Sequence, residues 1–519
     1  MENDKKSLLI IPKYNNTYEK DYKYFFPIGL GCILAVLKNN GFNVDCLNLN
    51  HKIGTADDII KDIKTEYEYV LTGGLAVDFS PLKDIFNAVR KYTSSKIILG
   101  GMIITTEPEV IFNEFKPDIG IIGEGEEIII DIFKEKPLKD IKGILFIENG
   151  EMVFTGKRQP SININNMPIP AFEDMGYEEY LDNQRPSLDY RTSWIDSPRI
   201  YSLLGSRGCP YNCTFCYHYD KYRERSLEDV FKEIDAVIDK YNINVINFMD
   251  ECFVNRKRIT EFCNKFKKLV EEKKRLIVWA CSLRVDIVDD DLMKMLKESH
   301  CTLINYGLES YSKEVLDSMK KCITPEQIDK ALKITFKYKI PIQANFIFGD
   351  PVETLETADE TLKYWKNNCK GQITLDFIRP FPNSVVYQHC LKKGIIKDKI
   401  KFIKNLNINY DSENMTNLSD KDFKKLKYKV LKYLSKYRTS TSYKSINKMK
   451  EGIYTISSKC PFCGEIHNYK NMEIKNELLF GFYVICPHCW MKYYLCSPLQ
   501  RFFYKRYGLF YDLKRVIKR

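Results

Sequence analysis

Apolar positions in the first 125 residues fall in short runs that end in polar residues or glycine. Residues 7–11, 44–49, 69–72, 96–99 and 119–122 read as buried strands, and a helix pattern over 31–39 stops at Asn40-Gly41. Such runs, separated by helical stretches, predict a parallel doubly wound sheet. Ligands of these sheets bind outside the carboxyl ends of the strands. Gly73-Gly74, Gly100-Gly101 and Gly123-Glu124-Gly125 fall there. Glycine lets a ligand approach the backbone closely, whereas plain turn chemistry accounts for any one pair but less easily for all three. The stretch PSININNMPIPAF marks residues 141–195 as an extended connector. A second strand–helix alternation occupies 196–398, with strands IYSLLGS, VINFMD, IVWACS, TLINYGLE, IQANFIFG and QITLDFIRP. Six strands with intervening helices predict an incomplete parallel barrel. Residues 399–452 read as a basic helical segment, and 453–519 as a small cysteine-bearing module with a basic, aromatic tail.

A chain of 519 residues is too long for one core and leads to a prior of about three domains. No apolar run approaches the ~18–20 residues of a membrane helix, and LLII near the start is too short for a signal peptide. A cytoplasmic protein is therefore expected. Its 17 cysteines should be reduced, so close-spaced sets are tested as metal ligands. The net charge of +11 is accompanied by dense lysine in KDFKKLKYKVLKYLSKYR. That segment reads as a solvated helix face, or as a surface for an anionic partner such as nucleic acid, a phosphorylated carrier or a membrane surface.

The segment RGCPYNCTFCYHYD places Cys209, Cys213 and Cys216 at Cys-x3-Cys-x2-Cys spacing. Three thiolates in one loop can hold three irons of a [4Fe–4S] cluster and leave the fourth open to a small molecule. Zinc is the rival occupant and needs a fourth ligand, which His218 could supply. The motif, with Phe215 at the aromatic position, resembles the signature of the radical S-adenosylmethionine (radical SAM) superfamily. The resemblance implies an α/β enzyme whose open iron chelates S-adenosylmethionine and whose electron cleaves it to a 5'-deoxyadenosyl radical. An external one-electron reductant such as flavodoxin or ferredoxin is implied with it. NFMDECF resembles the segment that holds the methionine amino group, through Asp250 or Glu251. Ser282 and Arg284, in WACSLRVD, fall in the next strand segment, with Arg284 paired to a carboxylate. Glu309 and Ser310 sit where the family contacts the ribose, and Ile347, Phe348 and Gly349 where backbone lies against adenine. Helix capping or surface solvation would account for each carboxylate singly.

The N-terminal domain resembles the cobalamin-binding subgroup through PIGLGCILAVLKNNGFNVDCLNLN, IILGGMIITTEPE and DIGIIGEGEE. The resemblance implies cobalamin held between these strand ends and the barrel mouth, with methylcobalamin as methyl donor in many members. His51 lies after the second strand in His51-Lys52-Ile53-Gly54 and reads as a surface histidine, so cobalt would lack a histidine ligand. A Rossmann-like domain that has lost its cofactor stays open.

Near the C-terminus, Cys460, Cys463, Cys486 and Cys489 form two Cys-Pro-x-Cys turns, the spacing of a zinc ribbon. A structural zinc is expected, with an auxiliary iron–sulfur cluster as the rival. The reading is thus an α/β chain: a Rossmann-like cobalamin-binding domain (1–140), a connector (141–195), a partial (β/α)6 radical SAM barrel (196–398), a basic helical segment (399–452) and a zinc-ribbon-like module (453–519). The expected activity is methylation of an unactivated carbon of a small-molecule or peptide substrate. The alternatives are a non-methylating rearrangement or cyclisation, or a redox-sensing nucleic-acid-binding protein.

Overall fold

A computed structural model describes residues 6–506, apart from 16, 166, 218–220 and 407–411. The chain divides into two compact units, Met1–Asn183 with Phe381–Tyr410, and Gln184–Pro380 with Asp411–Arg519.

The first unit is built on a seven-stranded sheet: β1 (Ser7–Ile11), β2 (Val44–Asn48), β3 (Tyr69–Gly73), β4 (Lys96–Gly100), β5 (Ile119–Ile121), β6 (Ile144–Glu148) and β7 (Glu151–Phe154). The order is β2-β1-β3-β4-β5-β6-β7, with the first five parallel and the last two antiparallel. β1 is buried at all five positions, the mark of a strand covered on both faces. Gly41 ends helix Ile28–Asn39 at φ 80°, and its N–H and that of Phe42 bond Lys38 and Leu37 carbonyls. The 141–195 stretch is not wholly an extended connector, because 144–154 form a hairpin that widens the sheet. Its turn is Asn149-Gly150, both at positive φ (51° and 86°), as a tight hairpin turn requires.

The second unit contains a six-stranded parallel sheet of β8 (Ile200–Leu203), β11 (Val245–Phe248), β12 (Val278–Leu283), β13 (Cys301–Glu309), β14 (Ile342–Phe348) and β15 (Thr374–Phe377). β9 (Ser206–Arg207) and β10 (Arg223–Glu224) form a short separate ladder. The order β15-β14-β13-β12-β11-β8 follows the chain, so each helix returns the chain to the next strand. Helix Arg256–Lys273 covers the apolar face, where Phe262 meets Phe248 and Trp279 edge-on at 5.0 and 4.8 Å.

Five further strands complete this unit: β16 (Ser440–Lys450), β17 (Ile453–Lys459), β18 (Ile466–Glu473), β19 (Gly481–Ile485) and β20 (Lys492–Cys496), in the order β18-β17-β16-β20-β19. Residues 440–450 are thus a strand where a helical segment is expected. Pairing with β17 and β20 overrides the lysine-rich local signal. Helix Asp420–Tyr437 precedes it and buries Phe423, Leu426 and Val430. Among the described residues, no helix is long and apolar enough to cross a membrane.

Candidate active site and metal centre

The three motif cysteines follow β8 and its Gly205 turn. Cys213 is buried, Cys209 half-buried, and Cys216 reaches the surface. The loop is pinned by Thr214 N–H on the Met319 carbonyl (3.0 Å) and closes on itself through Cys216 N–H to Cys213 O (3.2 Å). Burial pushes the Cys209 and Cys213 thiols up, and the Lys321 ammonium opposes it at both. An iron that replaces these protons removes the penalty. His218 lies outside the described residues.

Lys321 was not singled out by sequence reasoning. Its Nζ bonds Glu309 Oε1 at 2.7 Å, with both side chains nearly buried, and lies 5.7 Å from the Phe215 ring centroid. Nothing periodic distinguishes it from Lys320 beside it, since its burial comes from tertiary contact alone. Glu309 takes φ 61°, where the strand turns away. Arg284, expected to pair with a ligand carboxylate, is clamped on Asp286 (3.1 Å) and on the Lys321 and Cys322 carbonyls (3.0 and 2.9 Å). The Tyr211 ring covers its guanidinium at 3.7 Å. Arg284 and Lys321 therefore brace the cysteine loop through Tyr211 and Phe215.

The two candidate carboxylates after β11 separate. Asp250 is buried, with Oδ1 accepting from Gly205 N–H at 2.6 Å and Oδ2 without a partner. Burial raises its pKa to about 6. Glu251 is exposed and acts electrostatically on Cys209. Ser282 lends its carbonyl to Phe253 N–H. The Ser310 hydroxyl is engaged with Thr361 (3.1 Å). Phe348 is buried, and Gly349 (φ 99°) donates its N–H to Glu353, whose pKa burial raises to about 7.

One face of the six-stranded sheet is polar. Asn247, Ser282, Asn305, Gln343, Asn345, Thr374 and Asp376 fall on it by strand alternation and register. Parallel sheets ordinarily bury apolar residues on both faces. The neighbouring Asn305 Oδ1 and Gln343 Oε1 are buried without hydrogen-bond partners, so this face can accept donors from a bound molecule. Amides inside otherwise apolar strands (LIN, QAN) were the legible signal.

In the first unit, the glycine pairs pack backbone on backbone. A Cβ on Gly73 would meet Gly100 O at 2.7 Å, and one on Gly101 would meet Gly74 O at 2.6 Å, so here the pairs bring two loops together. Gly123 (φ 91°) donates to Thr105 Oγ1, and Gly125 caps helix Glu126–Phe133 after Glu124. His51 is not a surface histidine. It is 7% exposed, with Nε2 2.9 Å from the Tyr24 hydroxyl and Nδ1 3.4 Å from Glu179. The turn Leu49–His51 folds it beneath helix Tyr177–Asp182.

The four C-terminal cysteines meet, with ligand atoms all within 4.8 Å of one another. Cys460 and Cys489 sulfurs are 3.6 Å apart, and those of Cys463 and Cys486 are 3.8 Å apart. A tetrahedron of thiolates about 2.3 Å from one ion has edges of about 3.8 Å. Each turn closes by a bond to the first cysteine's carbonyl, from Gly464 and Trp490, both at positive φ (81° and 62°). Trp490 holds that conformation packed edge-on against Trp194 at 5.0 Å. A bond from Cys486 lowers the Cys460 thiol to about 5, while burial pushes Cys489 up to about 12.

Comparison with known proteins agrees with this arrangement. The Radical SAM superfamily description matches residues 203–364, and the B12 binding domain matches 19–132. The chain thus carries a B12-binding domain followed by a radical SAM domain, the composition of a radical SAM enzyme. It is 26% identical over 372 residues to an uncharacterized methyltransferase of Pyrococcus horikoshii, covering 64% of this chain and 77% of the relative. It is 26% identical over 320 residues to the anaerobic magnesium-protoporphyrin IX monomethyl ester cyclase of Cereibacter sphaeroides, covering 59% and 50%. The radical S-adenosylmethionine methyltransferase TsrM from Kitasatospora setae, solved with cobalamin and a [4Fe–4S] cluster, shares the fold at TM-score 0.60 and 17% identity, covering 74% and 75%.

Proposed function

We propose that this chain is a cobalamin-dependent radical SAM methyltransferase acting on an unactivated carbon. The single observation that carries it is the joining of a B12-binding domain to a radical SAM domain whose cysteine loop is braced by buried cations. When bound, the [4Fe–4S] cluster and S-adenosylmethionine supply a carbon-centred radical, and cobalamin supplies the methyl group.

Cys209, Cys213 and Cys216 hold the cluster. Glu251, exposed beside Cys209, accepts from the amino group of S-adenosylmethionine, and buried Asp250 positions the Gly205 turn. Glu309 and Ser310 mark the ribose side, and Ile347–Gly349 the adenine side, of a partial barrel whose polar face receives the substrate. Arg284 and Lys321 present positive charge toward the loop and offset the thiolates. The strand ends at Gly73-Gly74, Gly100-Gly101 and Gly123-Glu124-Gly125 form the cobalamin side. The C-terminal cysteines hold one structural zinc, since 3.6–3.8 Å sulfur separations suit one ion, whereas a cubane gives each thiolate its own iron.

The similarity to a cyclase supports a second reading, in which the radical rearranges the substrate without methylation. Anaerobic reconstitution with iron and sulfide tests the shared step. The wild type should form 5'-deoxyadenosine on reduction with S-adenosylmethionine, and the Cys209→Ala, Cys213→Ala, Cys216→Ala triple variant should form none. A wild type with an intact cluster and no deoxyadenosine contradicts the proposal.

A further inference from the structure

Residues 421–450 contain ten lysines and one arginine against a single acid, Asp422, a net +10 out of +11 for the whole chain. Their arrangement is not diffuse. On helix Asp420–Tyr437, Lys421, Lys425, Tyr428, Lys432 and Lys436 recur at helical spacing along one face, with Lys424 beside them. All are exposed, whereas Phe423, Leu426 and Val430 on the opposite face are buried. The stripe runs the length of an 18-residue helix, about 27 Å. Among the described residues, Lys421, Lys424, Lys432 and Lys436 have no carboxylate within ion-pair distance, whereas Lys425 pairs with Asp422 and Lys429, on the packed flank, with Asp359. β16 carries three further exposed lysines, Lys444, Lys448 and Lys450.

The helix is anchored at a functional end of its own unit. Phe423, in its first turn, packs against Gly349 at the carboxyl end of β14 and meets Phe377 at the end of β15 edge-on at 5.8 Å. The cysteine loop leaves β8 from the carboxyl end of the same sheet. The lysine stripe therefore begins at the end of the sheet that carries the cysteines.

We propose that this lysine stripe is the docking surface for an acidic one-electron donor protein of the flavodoxin or ferredoxin type. The proposal rests on the radical SAM reading, which requires one electron from outside. The step is outer-sphere: one electron leaves the donor's reduced flavin or iron–sulfur centre and reduces the cluster, and no bond forms or breaks. Small, electrostatically steered contacts are the usual form of such transient redox complexes. Composition favours a protein over a nucleic acid. Phosphate recognition favours the bidentate fork of arginine, and residues 421–450 have ten lysines to one arginine. Single-stranded nucleic acid also wants a row of aromatic platforms, and the stripe offers Tyr428 alone.

The test compares the reconstituted holoenzyme with a Lys421→Glu, Lys424→Glu, Lys425→Glu, Lys432→Glu variant. Cluster bleaching is followed in stopped flow with a reduced flavodoxin or with photoreduced deazaflavin. Flavodoxin-driven reduction at low salt should fall more than about tenfold in the variant, and the difference should vanish at high salt. Deazaflavin-driven reduction should not change. Binding of oxidised flavodoxin to the protein without its cluster should weaken in parallel, which reads docking independently of redox chemistry. Unchanged flavodoxin rates and binding would overturn the proposal. So would unchanged flavodoxin rates with lost affinity for a labelled single-stranded RNA, which would make the stripe a nucleic-acid surface. Rapid flavodoxin-driven bleaching without deoxyadenosine would overturn the radical reading and leave the docking surface standing.

Discussion

Replacing Lys321 by methionine leaves the Glu309 carboxylate in a nearly closed site without its cation. The two side chains are 12% and 9% exposed and 2.7 Å apart, so solvent screens the pair little. Removing one partner of a buried pair costs about 3–5 kcal/mol, mostly because the other charge stays buried. Methionine keeps the length of the side chain, so cavity formation adds little. The four tryptophans, Trp194, Trp279, Trp365 and Trp490, all lie in the unit that contains Lys321, so their fluorescence reports that unit alone. With a urea dependence of about 3 kcal/mol per molar, the midpoint of the protein without iron should fall by about 1 M. Adding Glu309→Gln to Lys321→Met should recover more than half of that loss, because no charge is then buried. A shift smaller than about 0.3 M, or a double variant no better than the single, would refute the claim that this pair braces the cysteine loop.

Further outcomes follow from other sites. Purified protein should carry one zinc per chain, and Cys463→Ser should lose it and expose the C-terminal sheet to protease, given on the order of 10 kcal/mol of folding energy from such an ion. Mass spectrometry and limited proteolysis check this. Burial holds the His51 pKa below its ordinary value despite Glu179. Its stabilising contribution is therefore full above about pH 6.5 and is lost as pH falls through the folded value. Thermal melts should show wild type losing stability on acidification across that window and His51→Gln losing less. Gly101→Ala should destabilise the first unit by more than about 1 kcal/mol, since φ is 87° and the new Cβ would meet Gly74 O at 2.6 Å. Melts followed by circular dichroism check it.

The strands of both parallel sheets were legible because they are short, mostly apolar runs bounded by glycine or turn residues. The Cys-x3-Cys-x2-Cys loop and the paired Cys-Pro-x-Cys turns were legible because local spacing alone specifies them. Other features depended on tertiary structure. KSINKMK in β16 carries almost no apolar content, and only its neighbours make it a strand. The Asn149-Gly150 hairpin was signalled by its dipeptide but hidden beside a stretch rich in proline and asparagine. The Lys321–Glu309 pair and the clamp of Arg284 on the Lys321 and Cys322 carbonyls join residues whose proximity no periodicity encodes. The burial of His51 depends on Tyr24 and Glu179, far away in sequence, so its local pattern is that of a surface histidine.

The most direct test of the central claim is a single anaerobic assay of the reconstituted protein with cobalamin and methyl-deuterated S-adenosylmethionine. Cobalamin retention is read from the visible spectrum before reduction, and 5'-deoxyadenosine and S-adenosylhomocysteine are quantified afterwards. Bound cobalamin and both products are expected, with label on the cobalamin methyl group. Deoxyadenosine without S-adenosylhomocysteine, from protein that retains cobalamin, would contradict methylation. A well-formed cluster that yields neither product would contradict the radical enzyme itself.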